Sequence, residues 1–473
     1  MKRIIVFALC FLSGMIGYSQ TAIDYYNAGN THVKLQDYTS ALSNFSKAIE
    51  VNPKMYEAYF NRAYVKDITS DYKGAIADYS KAIELYPKYA KAYTNKGIAK
   101  TRLDDNRGAI ADFSKAIEIN PGYAQAYYNR GVAKTKIKDI YGALADFSKA
   151  IEIYPLYDKA LYNRALLRVQ LKQISGAVQD LNTAIQVNAI SAPSYYLRGL
   201  IRLDMKLYNE AIQDFSRVIS FNTNESNAYY YRGICRIQIQ LYGAAISDFT
   251  RVIAMQPANV DAYFNRGMAN AYLQETKQAI DDFSKVIELQ SNDVQAYIER
   301  GLCYFNANNS RTAIQDFSKA IELDSLNERA YYNRGIAFVI TEKYAEAIQD
   351  FLKVTQINPQ NISAFYNKGV LENKLLLYSN AVESLSKAIE LNTWDASVYA
   401  QRAFAYGNVE DYPNAIMDYN KVIELQSKNE KAYFYRGLYR IKTNDIEQGC
   451  LDLSKAGELG MDEAFSEIRK KCN

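Results

Sequence analysis

The chain has 473 residues, 56 basic against 52 acidic, and a formal net charge of +4. Spread over that length, this balance gives no electrostatic footprint for nucleic acid. His32 is the only histidine, which leaves no ordinary Ser-His or Cys-His pair and no histidine-based metal cluster. The glycines follow a repeat and form no phosphate loop, so no catalytic residue, cofactor or metal ligand is assigned and the chain is not expected to be an enzyme.

Residues 1–20 read MKRIIVFALCFLSGMIGYSQ, with Lys2 and Arg3 before an apolar run from Ile4 to Leu12 and then small and polar residues. That order is a secretory signal peptide, with Gly17 and Ser19 at the positions before a cut near Gln20. The run is too short to span a bilayer, and Leu9 before Cys10 is too large for a lipoprotein cleavage box. The expectation is an exported protein, periplasmic or extracellular, with an uncleaved or lipidated N-terminus as the alternative.

From there one pattern fills the chain. Stepping by 34 residues from Gly131 lands on Gly29, Ala63, Gly97, Ala165, Gly199, Gly233, Gly267, Gly301, Gly335, Gly369, Ala403 and Gly437. The thirteen units are 22–55, 56–89, 90–123, 124–157, 158–191, 192–225, 226–259, 260–293, 294–327, 328–361, 362–395, 396–429 and 430–460, within a repeat region 21–460, and 461–473 follow them. Counting from the start of each unit, those small residues occupy position 8. Position 20 is Ala or Gly449, position 24 is Phe, Tyr or Leu, position 32 is often Pro, and position 4 is mostly Tyr. Self-similarity at this period marks stacked helical hairpins that bury their apolar faces on one another.

At these residues the chain resembles the tetratricopeptide repeat family. It departs from the family pattern at position 4, Tyr where the pattern has Trp, and at position 7, Arg or Lys where the pattern has Leu. The resemblance implies an all-α solenoid, a right-handed superhelix of thirteen hairpins with a C-terminal capping helix. Each unit is expected to form helix A over positions 2–14, a turn at 15–17 and helix B over 18–31. Pro193 at position 2 and Pro413 at position 18 suit first helical turns.

Position 7 has a partner candidate in the Asp at position 23, for instance Arg130 with Asp146 and Arg266 with Asp282, as a structural ion pair inside each repeat. The first unit lacks both residues (Ala28, Asn44), and the eleventh has Lys368 with Ser384. Position 11 is basic at Lys66, Lys100, Lys134, Arg168, Arg202 and Arg236, which either share those aspartates or form an anion-binding stripe.

The resemblance also places positions 2, 5, 6, 9, 12 and 13 of helix A on a concave wall that binds protein segments. Position 6 supplies Asn27, Asn61, Asn95, Asn129 and Asn163 in succession. A carboxamide carries one acceptor and two donors, so such a row either holds a peptide backbone or is a tolerated polar face. The family's carboxylate clamp is matched in part by Asn30, Asn61 and Lys91, with Tyr26 and Asn95 departing from it. Further along, Tyr196, Tyr230 and Phe264 at position 5 and Leu203, Ile237 and Phe305 at position 12 suggest an apolar lining for a hydrophobic or helical segment, unless they are core.

Cys235 and Cys303 recur at one repeat position and read as small core residues, whereas Cys450 and Cys472 flank a turn at Gly460 and are expected to pair as a disulfide that pins the capping helix. The expected function is a non-catalytic protein interaction scaffold with protein partners, no nucleic acid and no membrane span in the mature chain. The alternatives are a self-associating envelope component and a glycan-binding module that stacks sugars on exposed Tyr128 and Tyr162.

Overall fold

Each repeat unit is a helical hairpin whose start and stop are written at positions 15 and 16. The computed structural model describes residues 21–391 and 394–472, so the leader reading falls outside the described residues. Among the described residues there are helices and no strands, and the chain is an all-α solenoid. It divides into two compact bodies, residues 21–228 and 229–472.

Unit 4 in the first body shows the local logic. Helix A is Ala124–Lys136 and helix B is Ile140–Ile153, positions 1–13 and 17–30. Both therefore begin one residue before the boundaries expected from sequence. The reason is that Asp139 at position 16 is an N-cap, its carboxylate accepting the Gly142 N–H at 3.0 Å, which makes Ile140 the first helical residue. Helix A stops because Lys138 turns left-handed at φ 64°. The Lys138 N–H then closes on the Thr135 carbonyl (3.0 Å) and the Asp139 N–H on the Lys134 carbonyl (2.9 Å), a Schellman closure. Every unit repeats the left-handed residue, from Gln36 to Asn444, without ever using glycine there. Pro193 and Pro413 sit in the first turns of Ala192–Asp204 and Tyr412–Leu425, where the missing N–H has no helical partner to lose.

Packing within a hairpin sets a small residue at position 8 close against a large one at position 24. A Cβ on Gly131 would lie 2.7 Å from the Phe147 ring, and the same holds where Gly29 faces Phe45 and Gly97 faces Phe113. Where position 8 is alanine the facing residue changes, to Tyr79 opposite Ala63, Leu181 opposite Ala165 and Tyr419 opposite Ala403, all buried. The alanines at position 20, such as Ala143 and Ala245, are also fully buried, so the two helices meet at close range.

The second body ends in helix Ile446–Glu458, a turn at Gly460 (φ 106°) and helix Glu463–Lys471. The last helix covers Phe434, Leu453 and Ala456 with Ala464 and Ile468. Cys450 and Cys472 are joined by a disulfide across this hairpin, their Cα atoms 5.9 Å apart. Cys235 and Cys303 are buried free thiols, and burial pushes both up to about 11.

Two outcomes test these contacts. Lys138→Gly should stabilise unit 4 by about 0.5 kcal/mol, the relief of left-handed strain of about 1–2 kcal/mol less the extra backbone freedom of unfolded glycine. Thermal melting checks it, and a lower melting temperature would count against strain at position 15. Replacing Cys450 and Cys472 by serine should weaken protection of amides in Glu463–Lys471 by about 3 kcal/mol, the loop-closure value for a separation of 22 residues. Hydrogen exchange reads this directly, and unchanged protection would mean that packing alone holds the cap.

Candidate functional site

The residue at position 7 organises the helix A face. The Arg130 guanidinium grips Asp146 with two hydrogen bonds, Nε to Oδ2 at 2.9 Å and Nη2 to Oδ1 at 2.7 Å. Its remaining arm, Nη1, donates to Ser114 Oγ in helix B of the preceding unit at 3.0 Å. The guanidinium also lies over the Tyr127 ring at 5.5 Å. In the second body Arg266 does the same with Asp282, Thr250 and Tyr263. The arginine is thus more than the pair inside one repeat that the sequence suggested. Within both bodies it joins a hairpin to the one before.

Position 11 completes the cluster. Lys134 reaches Asp146 Oδ2 at 2.8 Å, and Lys66, Lys100, Arg168, Arg202 and Arg236 likewise contact the aspartates of their own units. Of the two readings left open, these cations are tied up in the structural network. In unit 8 Asn270 takes the place, donating to Asp282 Oδ2 at 3.0 Å. Units 10 and 12 carry Phe338 and Tyr406 there, and burial raises the carboxyls of Asp350 and Asp418 above the ordinary aspartate range, against the pull of Arg334 and Arg402. Unit 11 moves the acid to the other helix: Glu372 at position 11 takes Lys368 at 3.0 Å and the Ser384 hydroxyl at 2.7 Å. Sequence comparison at position 23 alone could not find that swap, although Glu372 stands one helical turn beyond Lys368.

Three of the five asparagines named from sequence depart from a pattern that Asn61, Asn163 and Asn265 share, a bond to the tyrosine at position 5 of the preceding unit. Asn163 Nδ2 donates to Tyr128 Oη at 3.4 Å and to the Lys159 carbonyl at 2.8 Å. Asn265 repeats this on Tyr230 and Asp261 in the second body. Asn61 donates to Tyr26 Oη at 3.0 Å and Asn30 Oδ1 at 2.7 Å, so it gives its protons to its own chain and not to a ligand carboxylate; Lys91 lies over the Phe60 ring at 5.5 Å. Asn95 donates to Tyr79 Oη at 3.4 Å. Asn27 is exposed on the first helix, and Asn129 Nδ2 is buried without a partner. The row therefore exists, but its amide donors are largely spent, and what Asn163 and Asn265 leave over is the carbonyl oxygen.

The apolar positions are half-buried rather than open. Tyr196 meets Phe215 edge-on at 5.9 Å in the first body, and Tyr230 meets Phe249 at 5.9 Å and Phe264 meets Phe283 at 5.6 Å in the second. Ile237 and Phe305 pack on the clusters around Phe249 and Phe317, and Leu203 is half-buried. Each such side chain is covered on one flank and leaves the other exposed. Tyr128 and Tyr162, expected as exposed platforms for sugars, are half-buried, and desolvation raises both phenols. Among the described residues no three His, Cys, Asp or Glu side chains converge to hold a metal, and no helix is long and apolar enough to cross a membrane.

Family models described as Tetratricopeptide repeat match residues 26–90, 124–155, 192–225, 236–294, 294–325, 328–361 and 396–429, and one described as TPR repeat matches 101–137. No curated protein matches the chain. Among solved structures the chain is similar to YrrB, described as a TPR protein with an unusual peptide-binding site, at 28% identity over 40% of this chain and 97% of that one, with a TM-score of 0.38. It is also similar to the C-terminal part of a TPR repeat-containing protein from Cytophaga hutchinsonii, at 18% identity over 50% and 97%, TM-score 0.46. Yeast Tom70 matches at 17% identity over 89% and 96%, TM-score 0.34.

Removing the shared acid exposes the cost of the cluster. Asp146→Ala leaves Arg130 and Lys134 half-buried and unpaired, and should destabilise unit 4 by about 2–4 kcal/mol, below the full range for buried pairs because both cations keep some water. Chemical denaturation followed by circular dichroism checks this, and an unchanged midpoint would discard the structural role.

Proposed function

From the premise that this chain belongs to the tetratricopeptide repeat family, we propose that it is a non-catalytic scaffold that binds an extended or helical protein segment along its helix A face. The observation that carries this reading is the orientation of the position 6 carboxamides. With both Nδ2 protons of Asn163 given to Tyr128 and Lys159, and those of Asn61 to Tyr26 and Asn30, the oxygen of each is left as a bare acceptor. Such acceptors suit the N–H groups of an extended backbone, whatever its side chains. The half-buried flanks of Tyr196 and Leu203 in the first body, and of Tyr230, Ile237, Phe264 and Phe305 in the second, supply apolar contact beside it.

The same proposal places the protein outside the cytoplasm, in the periplasm or beyond. The basic and apolar start of the chain supports this, as does the Cys450–Cys472 disulfide, a bond that persists in oxidising compartments.

The test is capture from the native envelope and secreted fraction, with mature wild type beside an Asn61→Ala, Asn95→Ala, Asn129→Ala variant of matched melting temperature. The expected result is a protein identified on wild type by mass spectrometry and lost, by at least about ten-fold, on the variant. That is the loss of roughly 1.4 kcal/mol, on the order of one or two hydrogen bonds. Equal retention on both would remove the asparagine row from the binding face.

A further inference from the structure

Unit 6 departs from the other repeats at position 34, the last residue before the next helix A. In units 2 and 4 that place holds a tyrosine lying against the position 5 ring of its own unit, Tyr89 on Phe60 and Tyr157 on Tyr128, both at 4.9 Å. Units 7 to 12 hold Asn or Asp there, and the side chain turns inward to cap the following helix, as where Asn259 accepts the Ala262 N–H and Asp293 the Ala296 N–H, each at 2.9 Å. Glu225 of unit 6 does neither. The Ala228 N–H closes on the Glu225 backbone carbonyl at 3.1 Å, and the half-buried carboxylate makes no ion pair or hydrogen bond among the described residues. Unit 5 carries Ser191, whose hydroxyl is engaged with that of Ser194 at 2.8 Å. Two successive position 5 rings, Tyr162 and Tyr196, therefore lack the position 34 ring that covers Phe60 and Tyr128.

A depression of about 280 Å³ stands there, within the first body, lined by Tyr162, Pro193, Tyr196, Val218, Glu225 and Asn227. Both tyrosines keep exposed surface, and Pro193 and Asn227 are exposed outright, so the place is open to solvent. Glu225 carries the single formal charge of the lining. The arginines of the two helices that supply the tyrosines are spent, Arg164 on Asp180 and Arg198 on Asp214, both at 2.6 Å. Tyrosine rings beside an unpaired carboxylate are an incomplete set, and the chain itself shows what completes one. Arg198 lies over the Tyr195 ring at 5.4 Å while it grips Asp214, and Arg266 lies over Tyr263 at 5.5 Å while it grips Asp282.

We propose that this depression seats an arginine side chain of an extended partner segment. The guanidinium lies against the tyrosine rings and forks onto the Glu225 carboxylate, and its aliphatic stem covers Val218 and Pro193. The inference rests on the scaffold reading and names the side chain that one part of that face selects. The occupant is cationic because the lining has one unanswered charge and that charge is negative. It is arginine and not lysine because a planar fork can stack on a ring and pair a carboxylate with two nitrogens at once, whereas an ammonium is a strongly hydrated point charge.

The protein supplies its own control, since Glu225→Tyr restores the ring that units 2 and 4 carry at position 34 and fills the depression from within. The probes are labelled, capped peptides of serine and alanine around one central arginine, with lysine or the neutral isostere citrulline in its place, read by fluorescence anisotropy on the full mature chain. Wild type should bind the arginine peptide about ten-fold more tightly than the citrulline peptide and about three-fold more tightly than the lysine peptide. Glu225→Gln should erase the difference between arginine and citrulline. Glu225→Tyr should abolish binding of the arginine peptide while melting no earlier than wild type. A citrulline or lysine peptide that binds wild type as tightly as arginine, or arginine binding that survives Glu225→Tyr, overturns the seat. A wild type that captures a native partner, lost on the asparagine variant, yet shows no preference for arginine overturns the seat and leaves the scaffold reading standing. One that captures no partner and binds no peptide overturns both.

Discussion

A hairpin of two short helices has one apolar face and nothing of its own to cover it, so each unit must be held at a defined rotation on its neighbour. In this chain the arginine at position 7 does that holding. Two of its nitrogens are given to the aspartate of its own helix B and the third to a hydroxyl or carboxamide of the unit before, such as Ser148 under Arg164 or Asn182 under Arg198. A planar fork with donors on two edges can satisfy two neighbours at once, and a leucine at the same position can only fill space. Because ion pairs of this burial lie near break-even for stability, the gain is in register: a hairpin rotated away from the correct seat leaves a half-buried charge unpaired.

The cluster tolerates rearrangement so long as a carboxylate stays between the cations. Seven units add a second cation at position 11, unit 8 substitutes the Asn270 amide, and unit 11 transfers the acid to Glu372 with Ser384 as its hydrogen-bond donor. The constraint acts on the local balance of charge and donors, and identity at any single position follows from it. The packing pair at positions 8 and 24 behaves the same way. Glycine faces Phe in units 1, 3, 4 and 6–10 and Leu in units 11 and 13, and alanine faces Tyr or Leu, every one of them packed without room to spare.

These structural demands shape the helix A face. Tyrosines at position 5 close the core with one side of the ring and orient the next unit's asparagine with the hydroxyl, so the polar surface of the helix A face is set by contacts between units. A change in one repeat is then felt in the following one, as where Thr94 in unit 3 strands the amide of Asn129 in unit 4.

The period of 34, the small residues at positions 8 and 20 and the ring at 24 were sufficient in sequence to determine an all-α solenoid of hairpins, because each records a local, repeated packing requirement. The pairing of Arg130 with Asp146 was also legible, since its two positions vary together from unit to unit. The helix boundaries were read one residue late, because Asp139 looks like a turn residue until its carboxylate is seen on the Gly142 N–H. What only the tertiary structure decided were relations between residues of different units: the third arm of each arginine, the swap to Glu372, and the loss of the asparagine donors to tyrosines 35 positions earlier. Periodicity within a repeat reports which side chains lie on one helix face. The neighbour that satisfies each polar atom across the stack depends on the rotation of one hairpin on the next, which exists only once they are packed.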